Sequence, residues 1–142
     1  MDTSTQMEII KTLAAQYGVR VIFADDDEAA GYANVASGEV VICPGNCECP
    51  LATFLHEVGH VLCYRLGKFP TYHKRILRTW REVAVARRQA LAVELWADRW
   101  AERVYVGIAV GGKYPRCYRD QREKNALRNY LAGLRPGMTT VA

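Results

Sequence analysis

The segment FLHEVGHVL, residues 54–62, carries two of the chain's three histidines, four positions apart, with a glutamate directly after the first. Residues four apart on an α-helix project from the same face one turn apart, so His56 and His60 could bind one ion. Glu57 would project about 100° further round the helix, beside that ion. Two neutral imidazoles as ligands, with a carboxylate that accepts a proton from water, are what a zinc hydrolase needs. The spacing therefore predicts a metal site.

The sequence around this motif also predicts the helix that the geometry requires. Cys49 and Pro50 fit the N-cap and the first helical position, and Gly67 fits the C-terminal stop. Gly59, between the two histidines, would let another element pack closely against the helix. The alternative is that the HExxH pattern occurs here by chance, with both histidines on the surface of a helix. Such a chance match is expected in about one in several hundred chains of this size. The apolar context and the cap signals favour metal binding.

A catalytic zinc site needs a third protein ligand and one open position. The metzincin pattern is excluded, because Cys63 and Leu66 stand where it requires a glycine and a third histidine. His73, the remaining histidine, lies past a glycine and a proline and is better interpreted as a surface residue. Cys63 is one turn beyond His60 and could supply a thiolate, but a small core side chain is the favoured interpretation.

Glu94, in the segment VELWADRWAERV, is the preferred third ligand. Asp98 follows it by one helical turn and would accept a hydrogen bond from the outer nitrogen of a ligating histidine, which fixes the ring. Glu82 and Glu102 are rivals, but neither has an acidic residue four positions later. The alternative for Glu94 is a solvated side chain on an amphipathic helix, and the apolar residues around it argue against that interpretation.

The elements that must carry these residues begin with a helix and a small sheet. A capping box that starts at Thr5 and a stop at Gly18 predict a helix over residues 5–17. β-branched residues predict a strand over 19–23, and an acidic turn at 25–28 follows it. Two further runs of strand-forming residues flank a turn with a glycine at positive φ and predict a tight hairpin: 32–35 and 39–43.

Helices are predicted from the motif to the C terminus. Residues 71–106 include neither glycine nor proline, but one helix of that length is unusual in a small domain, so a break is predicted within 81–90. A loop or a short irregular strand over 107–115, a charged helix over 120–131 and a frayed tail follow. The predicted class is α+β, a small antiparallel sheet with a hairpin packed against the motif helix and the C-terminal helices.

Composition predicts one ordinary globular domain spanning residues 1–142, since 50% of the residues are hydrophobic and 24% are charged. No basic, apolar leader begins the chain, and no run approaches the roughly 20 apolar residues that a membrane span needs, so a cytoplasmic protein without membrane contact is predicted. In that compartment the five cysteines are expected to be free thiols. The spacings of Cys43, Cys47 and Cys49 do not match those of structural zinc sites.

Charge divides the chain unequally. Residues 1–64 contain two Lys or Arg against nine Asp or Glu, whereas residues 65–142 contain seventeen against six. Solvated helix faces are the favoured explanation of the basic half. The alternative is a surface that docks an acidic partner or nucleic acid.

HExxH followed about thirty residues later by ExxAD resembles the pattern of the gluzincin metallopeptidases, the class that includes thermolysin. With the glycine before the second histidine, the chain is similar to the compact ImmA/IrrE family over about residues 5–106. The resemblance implies a minigluzincin fold in which His56, His60 and Glu94 bind one Zn²⁺ and Glu57 is the general base. It also implies that an edge strand of the hairpin holds an extended substrate by β-addition.

The resemblance further implies a zinc-dependent endopeptidase that hydrolyses peptide bonds of a protein substrate. Members of the family are encoded by mobile elements, phages and bacterial chromosomes, and some cleave regulatory DNA-binding repressors. Two other classes stay open: a non-catalytic zinc-holding module that binds a partner, and a basic nucleic-acid-associated protein. The sequence does not identify the group that would stabilise the oxyanion. Five tyrosines could donate to it, and the sequence places none of them at the metal: Tyr32, Tyr64, Tyr72, Tyr105 and Tyr114.

Overall fold

The structure is a computed structural model that describes residues 1–25, 29–68, 75–109, 112–115 and 121–140, with the backbone alone described over 121–126. These residues form four α-helices and a three-stranded sheet, which confirms the predicted α+β class. In chain order the elements are α1 (Thr3–Tyr17), β1 (Arg20–Phe23), β2 (Gly31–Asn34), β3 (Glu39–Ile42), α2 (Pro50–Arg65), α3 (Trp80–Ile108) and α4 (Gln121–Gly133). None of the described helices is long and apolar enough to cross a bilayer.

The sheet is mixed, with β3 in the centre. β2 and β3 form the predicted antiparallel hairpin, and Gly38 in its turn has a φ of 72°. A Cβ there would also lie 2.7 Å from the guanidinium of Arg65. β1 pairs with β3 in parallel, so the prediction of a purely antiparallel sheet is wrong for this pair. Strand patterns report which residues are extended, but the order of strands depends on where the intervening chain crosses.

The first helix begins two residues earlier than its predicted start. Asp2 is the N-cap, and its carboxylate accepts a hydrogen bond of 2.7 Å from the Thr5 backbone N–H. Thr5 is therefore inside the first turn and does not act as the cap. An acidic residue at the N-cap satisfies a free N–H as well as a threonine does, and it also interacts favourably with the helix dipole.

α1 and α2 cap one another. Cys49 and Pro50 occupy the predicted N-cap and first helical position, but the thiol makes no capping bond. Instead the Gln6 side chain from α1 accepts a 3.1 Å hydrogen bond from the Leu51 N–H. At the other end Arg65 donates to the Tyr17 and Gly18 carbonyls of α1, at 2.9 and 2.7 Å. These bonds supply partners for helix-end groups that the helices themselves leave free, and they fix the orientation of α2.

α3 is one continuous helix of 29 residues, so the predicted break within 81–90 is wrong. The helix begins at a Thr79 N-cap, whose hydroxyl accepts from the Glu82 N–H at 3.2 Å. Two different groups of residues pack against its two halves. The main core of α1, the sheet and α2 contacts the C-terminal half, and a second cluster contacts the N-terminal half: Leu77, Val83, Ala86 and Leu134. Packing at both ends keeps so long a helix intact.

The C-terminal tail is held against the protein, so the prediction that it frays is wrong. Leu134 and Thr140 are buried, at 2% and 3% exposure. Leu77 donates to the Met138 carbonyl at 2.8 Å and accepts from the Gly137 N–H at 2.7 Å. Tail residues thus satisfy the backbone groups of the segment that leads into α3, a non-local pairing that the tail's own composition does not reveal.

Several predictions made from the sequence lie outside the described residues. Only Asp25 of the acidic turn at 25–28 is described. Tyr72 and His73 fall within the undescribed stretch 69–74, so their placement stays a prediction.

Candidate metal centre

The two motif histidines lie side by side on α2. His56 is 6% exposed and His60 is only partly exposed. Their Nε2 atoms are 2.9 Å apart, and their rings stand almost perpendicular to each other, at 88°. The predicted helical spacing thus places both imidazole nitrogens at one point on the surface of α2.

Glu94 of α3 completes this group. Its Oε2 lies 3.1 Å from His56 Nε2, and its Oε1 lies 3.1 Å from His60 Nε2. The three residues form a set of donors that could hold a metal ion, with all three ligand atoms within 4.8 Å of one another. The structure therefore brings together the three residues that the sequence proposed as ligands.

Close packing of α2 on α3 makes this approach geometrically feasible, and Gly59 is the point of contact. A Cβ at Gly59 would lie 2.9 Å from both the Cα and the carbonyl oxygen of Ala97, closer than real Cβ atoms come. His56 faces Asp98 and His60 faces Glu94, so the two helices run antiparallel at this contact. The missing side chain of Gly59 thus sets the helix separation at which Glu94 reaches the histidines.

Asp98 lies behind the first histidine, with its Oδ1 3.2 Å from His56 Nδ1. Because a carboxylate can only accept, Nδ1 carries a proton in this contact. In the neutral imidazole the lone pair then belongs to Nε2, the atom that points toward His60 and Glu94. This is the arrangement by which an outer carboxylate orients a metal-binding histidine.

The Glu94 carboxylate and the two Nε2 atoms can share protons as well as a metal ion. Burial alone would raise the pKa of the Glu94 carboxyl, but when the two Nε2 atoms carry protons, hydrogen bonds from His56 and His60 outweigh burial and hold that pKa below its usual range. Glu94 is therefore ionised, and its oxygens face two nitrogens that are themselves in contact. Protons or a cation must lie between these acceptors, since bare lone pairs at such distances repel.

The spacing of the donors fits a small tetrahedral ion. Bonds of about 2.0 to 2.1 Å at tetrahedral angles separate ligand atoms by about 3.3 Å. The three separations here are 2.9, 3.1 and 3.1 Å, slightly shorter than that value. Two imidazoles and a carboxylate also form the ligand set of a catalytic zinc site such as that of thermolysin.

Glu57 follows His56 on α2 and is half-buried, but its carboxylate is not one of the three grouped donors. Its role as general base therefore stays a prediction.

The other residues considered as a third metal ligand lie elsewhere or make other contacts. Cys63 is fully buried in α2, and Glu82 accepts a hydrogen bond from the Arg78 N–H at the start of α3. Glu102 lies two turns beyond Glu94.

The contact between Tyr114 and Asp98 was not predicted from the sequence. Tyr114 is 7% exposed, and its hydroxyl donates to Asp98 Oδ1 at 3.4 Å. Its ring packs edge-on against Tyr105, whose own hydroxyl is 4.0 Å from the Cys49 thiol. The sequence offered a tyrosine here among several, but no local spacing links it to an aspartate sixteen residues earlier.

The cysteine loop before α2 has free thiols, as predicted for its three cysteines. Cys47 donates to the Ala30 and Cys43 carbonyls at 3.2 and 3.3 Å, and Cys49 contacts the Gln6 side-chain oxygen at 3.4 Å. In the part of the chain that the structure describes, these cysteines form no group that could hold a metal ion. They act as small packing and hydrogen-bonding side chains next to the helix N-terminus.

No protein-family model, curated protein or solved structure matches the chain. The similarity to ImmA/IrrE peptidases therefore stays a prediction from the two motifs.

Proposed function

We propose that the protein is a zinc-dependent endopeptidase in which His56, His60 and Glu94 bind one Zn²⁺. The observation that carries this proposal is the convergence of these three donors at separations of 2.9 to 3.1 Å. The metal-binding residues come from two helices that pack through Gly59, so their positions do not depend on a loop. A rigid donor set of this composition suits catalysis, which requires ligands held close to their productive geometry.

A Zn²⁺ ion held by His56, His60 and Glu94 would supply Lewis-acid chemistry, which polarises a water molecule and the carbonyl of the scissile peptide. Glu57 is the proposed general base: its carboxylate takes a proton from the attacking water and returns it to the leaving amine. Asp98 holds His56 by accepting from Nδ1, and this keeps Nε2 directed at Glu94 and His60, the residues that would hold the metal with it. Each of these tasks belongs to a different residue, and only Glu57 moves a proton.

The proposed substrate is a protein segment in extended conformation. β2 is at an edge of the sheet, and no described strand pairs with its outer side. It packs on α2, because a Cβ at Gly31 would lie 3.0 Å from the Thr53 side chain, one turn before His56. An edge strand can bind an extended peptide through backbone hydrogen bonds. A regulatory DNA-binding repressor is the substrate that the family resemblance favours, and the proposed location is the cytoplasm.

Glu57→Gln tests this proposal. The amide preserves the shape of the side chain and leaves the three ligands unchanged, so zinc content, measured by elemental analysis, should equal that of the wild type. Cleavage of casein and of quenched fluorogenic peptides should fall by about 10² to 10⁴-fold, since proton transfer is lost. Glu48→Gln, an exposed glutamate just before α2, is the matched control and should retain full activity.

Full activity in Glu57→Gln would reject Glu57 as the base. A wild type that binds zinc but cleaves neither these probes nor any co-expressed protein, with Glu57→Gln equal to it in every partner-binding assay, would favour the zinc-holding module. A protein that binds no zinc would reject the metal site itself.

A further inference from the structure

The Asp98 carboxylate is shared between the metal site and a segment that follows α3. Its Oδ1 lies 3.2 Å from His56 Nδ1 and accepts from the Tyr114 hydroxyl at 3.4 Å. One oxygen atom thus connects a proposed zinc ligand to a tyrosine from another part of the fold. The side chain of Asp98 retains 21% exposure, so this hydrogen bond occupies a position that water could otherwise take.

Tyr114 lies beyond the C-terminal end of α3, but its hydroxyl contacts Asp98 inside that helix. The helix continues for ten residues beyond Asp98, about 15 Å, before it ends at Ile108. Just beyond it, the Gly112 N–H donates a 2.8 Å hydrogen bond to the Ala109 carbonyl. The Tyr114 hydroxyl thus meets a residue sixteen positions earlier in the chain, and the regular spacing of residues along α3 does not produce this contact.

Packing and hydrogen bonding hold different parts of Tyr114. The ring is buried and contacts Tyr105 edge-on, with 5.6 Å between ring centroids. The ring would keep this packing without a hydroxyl, since edge-to-face contact is a property of the aromatic system. The hydroxyl can therefore be assigned a task separate from that of the ring, which is to bond Asp98.

We propose that Tyr114 is a positioning residue of the metal site, whose hydroxyl fixes the Asp98 carboxylate and through it the His56 imidazole. The proposal rests on the proposed metal site and is independent of whether the protein cleaves peptides. With the hydroxyl in place, the carboxylate is held by donors on two sides and keeps the orientation that His56 Nδ1 requires. Without it, the Asp98 carboxylate loses one of the contacts that orient it, and the histidine loses part of its preorganisation for zinc.

The size of the effect follows from the geometry. Loss of an outer-shell carboxylate lowers metal affinity by about 10 to 100-fold. Tyr114 acts one bond further from the metal, and its hydrogen bond of 3.4 Å is long for a hydroxyl and a carboxylate. A loss of about 3 to 10-fold in zinc affinity is therefore expected on its removal.

A matched pair of variants tests the assignment. Tyr114→Phe removes the hydroxyl that contacts Asp98, and Tyr105→Phe removes a hydroxyl from the adjoining ring, near the Cys49 thiol. Zinc dissociation constants would be measured by competition with a chromophoric chelator, and thermal unfolding of the zinc-free proteins would monitor stability. Tyr114→Phe should weaken zinc binding by about 3 to 10-fold, whereas Tyr105→Phe should stay within about twofold of the wild type.

A double-mutant cycle separates positioning from general destabilisation. In an Asp98→Ala background the carboxylate through which the Tyr114 hydroxyl would act on His56 is gone, so Tyr114→Phe should no longer change zinc affinity. An undiminished loss in that background, or equal losses for the two tyrosine variants, would overturn the proposal. If the wild type binds zinc and Tyr114→Phe binds it equally tightly, only the role of Tyr114 is rejected. If the wild type binds no zinc, the metal site is rejected as well.

A second measurement needs no substitution and covers the case in which Tyr114→Phe does not fold. In the zinc-loaded wild type, the Tyr114 hydroxyl proton should exchange slowly with solvent and give a resolved NMR signal, because it is buried and bonded. Rapid exchange of this proton would contradict the hydrogen bond on which the proposal depends.

Discussion

At the scale of single residues, Glu82 and Glu94 of α3 make different contacts. Glu82 takes part in capping the helix, since its side chain accepts from the Arg78 N–H and its own N–H is bonded to Thr79. Glu94 contacts both motif histidines through its two oxygens. A substitution at one position should therefore change helix stability, and the same substitution at the other should change metal affinity.

We expect Glu94→Ala to lower zinc affinity far more than Glu82→Ala, and Asp98→Ala to lower it by about 10 to 100-fold. Elemental analysis of the purified variants and chelator competition would measure both effects. Glu82→Ala is the control: it should bind zinc like the wild type and lose about 0.5 to 2 kcal/mol of stability through its weakened N-terminal cap. Equal zinc content in Glu94→Ala and Glu82→Ala would reject Glu94 as a ligand.

At the scale of elements, the contact between α2 and α3 determines whether the site exists. The motif histidines are four residues apart on α2, and Glu94 and Asp98 are four residues apart on α3, so one turn of each helix faces one turn of the other. Gly59 lies at the centre of this contact. The distance between the helix axes therefore determines the distances between Glu94 and the two histidines.

Gly59→Ala should force the helices apart, because the added methyl would overlap the backbone of Ala97. Loss of about 1 to 3 kcal/mol of stability is expected from such overpacking, together with weaker zinc binding. Gly107→Ala is the control within α3, where an added Cβ meets nothing within 4 Å; it should stabilise the protein by about 0.5 to 1 kcal/mol. Denaturant unfolding and zinc titration of both variants would decide, and unchanged zinc affinity in Gly59→Ala would contradict the coupling of helix separation to ligand geometry.

The sequence predicted the parts of this site that depend on local geometry. The helix that carries His56 and His60, its N-cap and first residue, and the hairpin glycine all follow from residues within a few positions of one another. The contacts that it did not predict join distant segments: Gln6 with Leu51, Tyr114 with Asp98, and the tail with Leu77. The continuity of α3 was not predicted either, because the packing that stabilises this helix comes from elements before and after it in the chain.

At the scale of the whole molecule, the arginines of the basic half, residues 65–142, have two kinds of environment. Some donate hydrogen bonds within the protein, and others are exposed on helix faces. Arg65 and Arg87 donate to backbone carbonyls, and Arg75 donates to the Gln89 side chain at 3.1 Å. Other arginines, among them Arg88, Arg99 and Arg103, are exposed on α3. Part of the positive charge is therefore structural, and the exposed remainder would attract any polyanion without sequence preference.

Binding to duplex DNA should accordingly be weak and non-specific. A dissociation constant no tighter than about 1 μM is expected at physiological salt, with affinity that falls steeply as salt rises and does not depend on sequence. Fluorescence anisotropy with two unrelated duplexes across a salt series would measure this. Affinity in the nanomolar range for one sequence, retained at physiological salt, would show instead that the basic half is a dedicated nucleic-acid surface.

Glu94 is the fifteenth of the 29 residues of α3 and therefore its midpoint, with about 21 Å of helix on either side. Opening fluctuations of a helix start at its ends, where the hydrogen-bond ladder is incomplete, and they become rarer with each turn toward the middle. Each end of this helix is also covered by its own group of apolar side chains. Local unfolding that begins at one end must therefore pass several intact turns before it displaces the carboxylate. Glu94 thus lies where the helix spends the least time open, and its position persists while either end of the helix unfolds locally and refolds.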